Sequence, residues 1–258
     1  MEVSRITRKV RTIRRQLAKA VQRDGYGGMA KLVLRNCWHT VRSRFPDATR
    51  NRSNAFDLEW GVDTCQIVEQ GELDIDSTHQ LYAGRYEPTP AATFRDMMET
   101  LDIRHEDYTF VDLGSGKGRT LLLAADYPFR AIVGAELSTE LHRIALANID
   151  KCRSRFRACQ NVTSICVDAT AFPLPAGPLV VYLYDPFGPP VMEKVAANIK
   201  ASLTRNPRTI RVVYCNPSCA AILERDGLFV PCARGADFVV YRNSAVEEPA
   251  TASGGLPG

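Results

Sequence analysis

The stretch Phe110-Val-Asp-Leu-Gly-Ser-Gly-Lys-Gly-Arg119 constrains this chain more than any other. An apolar, β-favouring run from Thr109 to Leu113 carries Asp112 and opens into glycines at 114, 116 and 118. A helical pattern follows from Arg119 through Leu121, Leu122 and Leu123 to Ala125. Strand, glycine turn and helix in that order form the nucleotide-binding opening of a βαβ unit. Glycines here let the backbone bend sharply and approach a ligand closely. Behind them, the helix N-terminus offers unpaired N–H groups and a positive dipole end.

Three ligand classes compete for this loop. A phosphate-binding P-loop requires Gly-x-x-x-x-Gly-Lys-Ser/Thr. Here Gly118 follows Lys117, and Val111 stands where the first glycine belongs, so that class is excluded. A dinucleotide fingerprint places a small residue at its sixth position, where helix and strand pack; Arg119 occupies it and fits poorly. S-adenosylmethionine (SAM) carries no phosphate, so its loop must accept a zwitterionic methionine end and a sulfonium. Asp112, ending the strand just before the glycines, suits that cationic ligand. The plain alternative is a tight strand-to-helix turn that holds nothing.

With 258 residues, the chain suits one domain with appendages. Its 45% hydrophobic and 24% charged residues are those of a globular protein. No apolar run is long enough to span a bilayer, and the arginine-rich start lacks the apolar stretch of a signal peptide. The eight cysteines form no Cys-x-x-Cys pair. They read as reduced thiols in a cytoplasmic protein without a zinc site.

The net charge of +4 conceals an asymmetry. Residues 1–52 carry 14 Lys/Arg against 3 Asp/Glu, or +11, and the remainder carries 19 against 26, or −7. Residues 1–46 therefore read as a basic helical arm. Ile6, Val10, Ile13, Leu17 and Val21 recur at helical spacing, and a second such stripe follows Gly28. An arm of this kind either packs its apolar face on the main domain or meets nucleic acid, an anionic membrane surface or an acidic partner. A presequence for an organelle is a further reading. Residues 47–90 read as a linker and a pocket-covering segment, closing in the stiff run Tyr82-Ala-Gly-Arg-Tyr-Glu-Pro-Thr-Pro90. Tyr86 within it is placed to stack on a ligand or to hydrogen-bond it. Residues 91–242 form the main domain, and 243–258 read as a disordered tail.

From residue 109 strand and helix patterns alternate, implying a parallel sheet with right-handed crossovers. The second strand, Ala131 to Ala135, ends at Glu136, which lies 24 positions after Asp112. An acid at that strand end hydrogen-bonds the ribose hydroxyls of a nucleoside. Ser138 is the expected N-cap of the helix that follows. The third strand, Val162 to Val167, ends in Asp168-Ala169, where a carboxylate can accept from an adenine amino group. Continuously apolar, Leu179 to Tyr184 reads as a central strand ending in Asp185-Pro186-Phe187. A fifth strand over 209–214 is capped by Asn216-Pro217, and an antiparallel hairpin over 228–241 closes the domain.

Val111-Asp-Leu-Gly-Ser-Gly-Lys-Gly118, Glu136, Asp168 and Asp185-Pro-Phe187 together resemble the class I SAM-dependent methyltransferases over about residues 80–242. The resemblance implies an α/β, Rossmann-like, seven-stranded sheet with helices on both faces. It also implies a transferase that takes SAM as cofactor, with Asp112, Gly114, Ser115 and Gly116 at the methionine portion. Glu136 then serves the ribose, and Asp168 with Ala169 the adenine. Tyr86-Glu-Pro-Thr89 and Asn216-Pro217 look like a bacterial subgroup of unassigned specificity, distantly similar to the non-SET protein lysine methyltransferases. That similarity implies cofactor contacts for Tyr86 and Thr89. Asp185-Pro186-Phe187 resembles the Asp/Asn-Pro-Pro-Tyr/Phe/Trp loop of amino-group methyltransferases but lacks its second consecutive proline. It implies methyl transfer to a nitrogen of a small molecule or a protein side chain, with those three residues catalytic. The competing classes are a nicotinamide-dependent oxidoreductase and a non-catalytic SAM-binding or nucleic-acid-associated module.

Overall fold

Five strands align in parallel; four are largely buried, the fifth, Val162–Cys166 at the sheet edge, is partly exposed, and three of the four crossovers carry a helix. The structure, a computed structural model, describes residues 55–76 and 82–244. The chain divides into two units, Met1–Asn51 and Arg52–Gly258, and the described residues belong to the second. The basic arm, residues 47–54 of the linker and the tail beyond 244 lie outside the described residues.

One seven-stranded sheet runs in the order β3-β2-β1-β4-β5-β7-β6. Its parallel members are β1 (Thr109–Leu113), β2 (Ala131–Glu136), β3 (Val162–Cys166), β4 (Leu179–Tyr184) and β5 (Ile210–Cys215). The antiparallel hairpin is β6 (Phe229–Arg234) and β7 (Phe238–Asn243). Register pairs Val111 with both Val133 and Val181, which puts the carboxyl ends of the parallel strands along one edge. Because side chains alternate along a strand, the sheet feeds two cores. Phe110, Ile132, Val180 and Tyr182 join one with Phe94, and Val111, Leu113, Val181 and Leu183 join the other with Met192. Each such side chain contributes about 1.5–3 kcal/mol by leaving water.

The helices are α1 (Ala91–Glu99), α2 (Arg119–Ala124), α3 (Thr139–Cys152), α4 (Pro189–Arg205) and α5 (Ala220–Glu224). As expected, Ser138 caps α3, its hydroxyl accepting from the Leu141 N–H at 3.1 Å. The helix after Asp185-Pro186-Phe187 starts within that proline-rich turn. Pro189 opens it, since the first helical position needs no N–H and proline's φ is preset there. A short helical stretch over 55–60 buries Phe56 in the first core and stacks it on Trp60 at 5.1 Å. The sequence placed Phe56 in or beside a linker. Among the described residues no helix is long and apolar enough to cross a membrane.

Candidate cofactor and acceptor pocket

At the carboxyl ends of β1, β2, β3 and β4, the crossovers diverge and leave a pocket whose empty volume is about 960 Å³ out to its mouth. The glycine loop forms one wall. Gly114, Gly116 and Gly118 all take positive φ, at 93°, 53° and 81°. At Gly116 a second restriction applies, since a Cβ there would lie 2.2 Å from the Tyr86 ring. At Gly114 a Cβ would lie 2.8 Å from the Pro186 side chain.

Three strand-end acids border the loop. Asp112 is buried, accepts a short hydrogen bond from the Thr120 hydroxyl, and has its carboxyl pushed up to about 7 by burial, with the nearby Glu136 adding to the effect. Glu136 is also raised by burial, although backbone N–H groups oppose the shift. One of its oxygens accepts from the Gly116 N–H at 2.7 Å and the other from the Ser138 N–H at 2.8 Å. Those two bonds leave lone pairs on both oxygens for further donors. Asp168 accepts from the Thr170 N–H at 2.8 Å and lines the pocket with Ala169. Ser115 lines it as well, and its hydroxyl oxygen is buried without a hydrogen-bond partner.

A strap over residues 82–89 covers the pocket, every one of its residues contributing to the lining. It is tied at both ends. Ala83 bridges Phe187, the Gly84 N–H donates to the Pro186 carbonyl at 2.8 Å, and Tyr86 exchanges backbone bonds with Val68 at 2.9 and 3.2 Å. The Thr89 hydroxyl shares a 2.8 Å hydrogen bond with the Tyr182 hydroxyl. Within the strap Arg85 and Glu87 pair at 2.6 Å.

Of the expected catalytic trio, Pro186 and Phe187 line the pocket beside Tyr184 and Val191, and the Asp185 side chain is not among the lining groups. One Asp185 carboxylate oxygen accepts a short bond from the Ser218 hydroxyl and a 3.4 Å bond from the Tyr214 hydroxyl, both beyond or at the end of β5. Its backbone sits at φ 42°, an uncommon conformation that aspartate tolerates better than most residues. All the other expected site residues meet at the one pocket.

Sequence reasoning missed a buried polar group behind the glycine loop. The Arg119 guanidinium donates to Asp57 at 3.0 Å and to the Thr64 hydroxyl at 2.7 Å, and it lies 4.4 Å from the Phe56 ring centroid. Burial would raise the Asp57 carboxyl, but hydrogen bonds from Thr64 and Cys65 outweigh it and hold the group below its usual range. Next to it, Lys117 pairs with Asp63 at 2.7 Å. Asn148 of α3 bonds the Asp63 backbone at both ends, at 3.0 and 2.9 Å. The only local signal was the basic pair Lys117 and Arg119 bordering Gly118, in a position that a nucleotide loop leaves small.

No protein-family model matches the chain. A protein-lysine N-methyltransferase of Saccharolobus islandicus (strain REY15A) is 42% identical over 67 residues, 26% of this chain and 41% of that protein. The match therefore spans less than half of the curated relative's length. Among solved structures, an RNA methyltransferase from Salinibacter ruber bound to S-adenosyl-L-homocysteine aligns with 64% of this chain and 97% of its own, at 19% identity and TM-score 0.42. A ribosomal protein L11 methylase from Lactobacillus delbrueckii subsp. bulgaricus covers 64% and 82%, at 12% identity and TM-score 0.43. For a geranyl diphosphate C-methyltransferase from Streptomyces coelicolor A3(2), the shares are 61% and 78%, the identity 14% and the TM-score 0.42.

Proposed function

We propose that this protein transfers a methyl group from SAM to an amine nitrogen of a protein side chain or small molecule. The observation that carries the reading is the gathering of Asp112, Glu136 and Asp168, from three successive strand ends, around one pocket walled by a left-handed glycine loop. The residues present fit this cofactor. Glu136 keeps lone pairs for the ribose hydroxyls, the unpaired Ser115 hydroxyl has a bond to offer, and Asp112 faces a site suited to positive charge. Leu137, Val167 and Ala169 supply an apolar slot for an adenine ring. The sheet supports no dinucleotide reading, because β5 is followed by an antiparallel hairpin rather than by a second mononucleotide half. The 67-residue likeness to a lysine N-methyltransferase favours an amine as acceptor.

SAM, when bound, would supply a sulfonium methyl group, whose carbon would bond to the acceptor's lone pair as the carbon–sulfur bond breaks and the neutral thioether leaves. The chain's own work is then positioning, exclusion of water and acceptance of a proton. Tyr82, Tyr184 and Phe187 wall the acceptor side with aromatic faces, which attract an amine in its cationic form. The Pro186 carbonyl, already holding the strap through Gly84, keeps a second lone pair for an amino N–H. Asp185 fixes that turn through Ser218 and Tyr214 rather than meeting the acceptor itself.

Calorimetry with SAM, S-adenosylhomocysteine and NADH tests the cofactor, and transfer of a labelled methyl group into lysate, sorted by acceptor size, tests the acceptor. Binding of S-adenosylhomocysteine with labelled protein or amine metabolite is expected. NADH binding in its place, or a product methylated on oxygen or carbon, would falsify the assignment. Glu136→Ala is expected to weaken S-adenosylhomocysteine by about 1.5–3 kcal/mol, the range for hydrogen bonds to a charged group.

A further inference from the structure

Every oxygen of the Asp57 carboxylate is spoken for, and none of its partners is in the sheet. One oxygen accepts from the Thr64 and Cys65 N–H groups, each at 2.6 Å. The other accepts from the Thr64 hydroxyl at 2.5 Å and from Arg119 at 3.0 Å. Arg119 then donates back to the Thr64 hydroxyl at 2.7 Å, closing a ring of three side chains. Thr64 is fully buried, Arg119 is 2% exposed and Asp57 is 8% exposed, so these bonds form away from competing water.

Arg119 also lines the pocket, and the ring is tied to the strap through one atom. The Thr64 carbonyl accepts from the Tyr86 hydroxyl at 2.7 Å. That bond and the two backbone bonds to Val68 fix the Tyr86 ring against Gly116, so closely that no Cβ would fit between them. Gly116 in turn directs its N–H at Glu136 from 2.7 Å. A continuous path of contacts therefore leads from Asp57, through Thr64, Tyr86 and Gly116, to the carboxylate assigned to the ribose.

We infer that Asp57 and Arg119 are positioning residues for cofactor binding: they set Thr64, Thr64 sets the Tyr86 ring, and the ring holds Gly116 and Glu136 in their binding arrangement. The inference rests on the reading of the pocket as a SAM site. It assigns to residues 55–65, ahead of the sheet in sequence, part of the work of the glycine loop. It also gives Arg119 a purpose, because a small residue at that position would leave Asp57 and Thr64 without their shared donor. The Tyr86 hydroxyl is engaged by the Thr64 carbonyl in this arrangement, and the ring acts as a wedge.

The test is a double-mutant cycle with near-isosteric variants of the full chain, read by calorimetry with S-adenosylhomocysteine. Asp57→Asn must turn an amide NH₂ toward one of its donor pairs, and Tyr86→Phe removes the tether to Thr64 while keeping the ring. Each is expected to weaken binding about tenfold, the effect of losing one buried hydrogen bond to a constrained group. If Asp57 acts through Tyr86, the double variant is weaker than the poorer single by no more than about twofold. Independent effects would multiply to about a hundredfold and overturn the inference. Ile199→Val, on the buried face of α4, serves as the control; it is expected to lower the melting temperature and leave the affinity unchanged. Should affinity in Asp57→Asn fall only as far as in a control of equal melting temperature, the role is structural and the inference fails. Unchanged affinity in Asp57→Asn, with a wild type that binds, also removes the inference and spares the functional reading. A wild type that binds no S-adenosylhomocysteine removes the functional reading and this inference with it.

Discussion

Asp112 is the residue whose chemistry changes most between sequence and fold. Burial pushes its carboxyl to about 7 from an ordinary value of 3.8. In the ligand-free protein the folded state therefore holds a proton that the unfolded chain has lost. The stability tied to this group is present below about pH 4 and is lost as pH rises through 7, on the order of 4 kcal/mol in all. A cationic ligand beside Asp112 favours the ionised form and reverses the preference. Affinity for SAM is thus expected to rise from pH 5.5 to 7.5 with release of a proton, and calorimetry in buffers of different ionisation enthalpy measures that release. In Asp112→Asn the rise attributable to this group should vanish; a rise of equal size would assign it elsewhere. For Asp185, bonded by Ser218 and Tyr214, replacement by alanine loosens the turn that carries Pro186 and Phe187 and is expected to cut turnover about 10²-fold, with little change in S-adenosylhomocysteine affinity. The strand-end acids were legible because each directly follows an apolar strand pattern, so chain direction alone places it at the edge that binds ligands. Where the Asp185 side chain turns was not legible, since that depends on Tyr214 and Ser218, 29 and 33 positions away.

Among the elements, the glycine loop with α2 was read from local signals, and its anchorage was not. Three positive-φ glycines, an apolar strand before them and leucines behind them are contiguous and need no tertiary information. Arg119 counted in sequence only as a departure from a dinucleotide fingerprint. Its partner Asp57 is 62 positions distant and sits in a stretch that lacks helical or strand periodicity. The same reason hid Phe56: a single aromatic residue beside polar neighbours carries no pattern, although it is buried among core residues. Removing Arg119 leaves a buried carboxylate beside an apolar ring. Arg119→Ala is expected to destabilise the domain by about 3–5 kcal/mol, the usual cost of breaking a buried pair from one side. Arg119→Ala combined with Asp57→Ala should recover much of that loss, because no uncompensated charge then remains. Urea titrations of the two variants distinguish this from a mere packing defect, for which the second substitution would add to the first.

At the scale of the whole molecule, the charge distribution separates residues 1–52, at +11, from the rest, at −7. The described residues that line the pocket lie between 73 and 191, and they include every acid and glycine assigned to the cofactor. A chain lacking residues 1–45 is therefore expected to bind S-adenosylhomocysteine as tightly as the full one. Opposite charge on the two parts leaves two uses for the arm, an anionic partner or the acidic remainder of the chain. Salt separates them. Binding of the full chain to an anionic polymer releases counterions, and with Z contacts the logarithm of affinity falls with the logarithm of salt at a slope of about −0.9Z on duplex DNA. Fluorescence anisotropy with a labelled duplex, from low to physiological salt, measures that slope, and acidic vesicles replace the duplex in a parallel series. Steep dependence in the full chain, absent from the shortened one, assigns the arm to a partner. Salt-independent retention of neither probe, together with poor solubility of the shortened chain, assigns its apolar stripes to the protein's own surface. In both cases cofactor affinity is expected to stay unchanged, because the acids and glycines assigned to it and the Asp57–Arg119 pair that is inferred to set them all lie beyond residue 54.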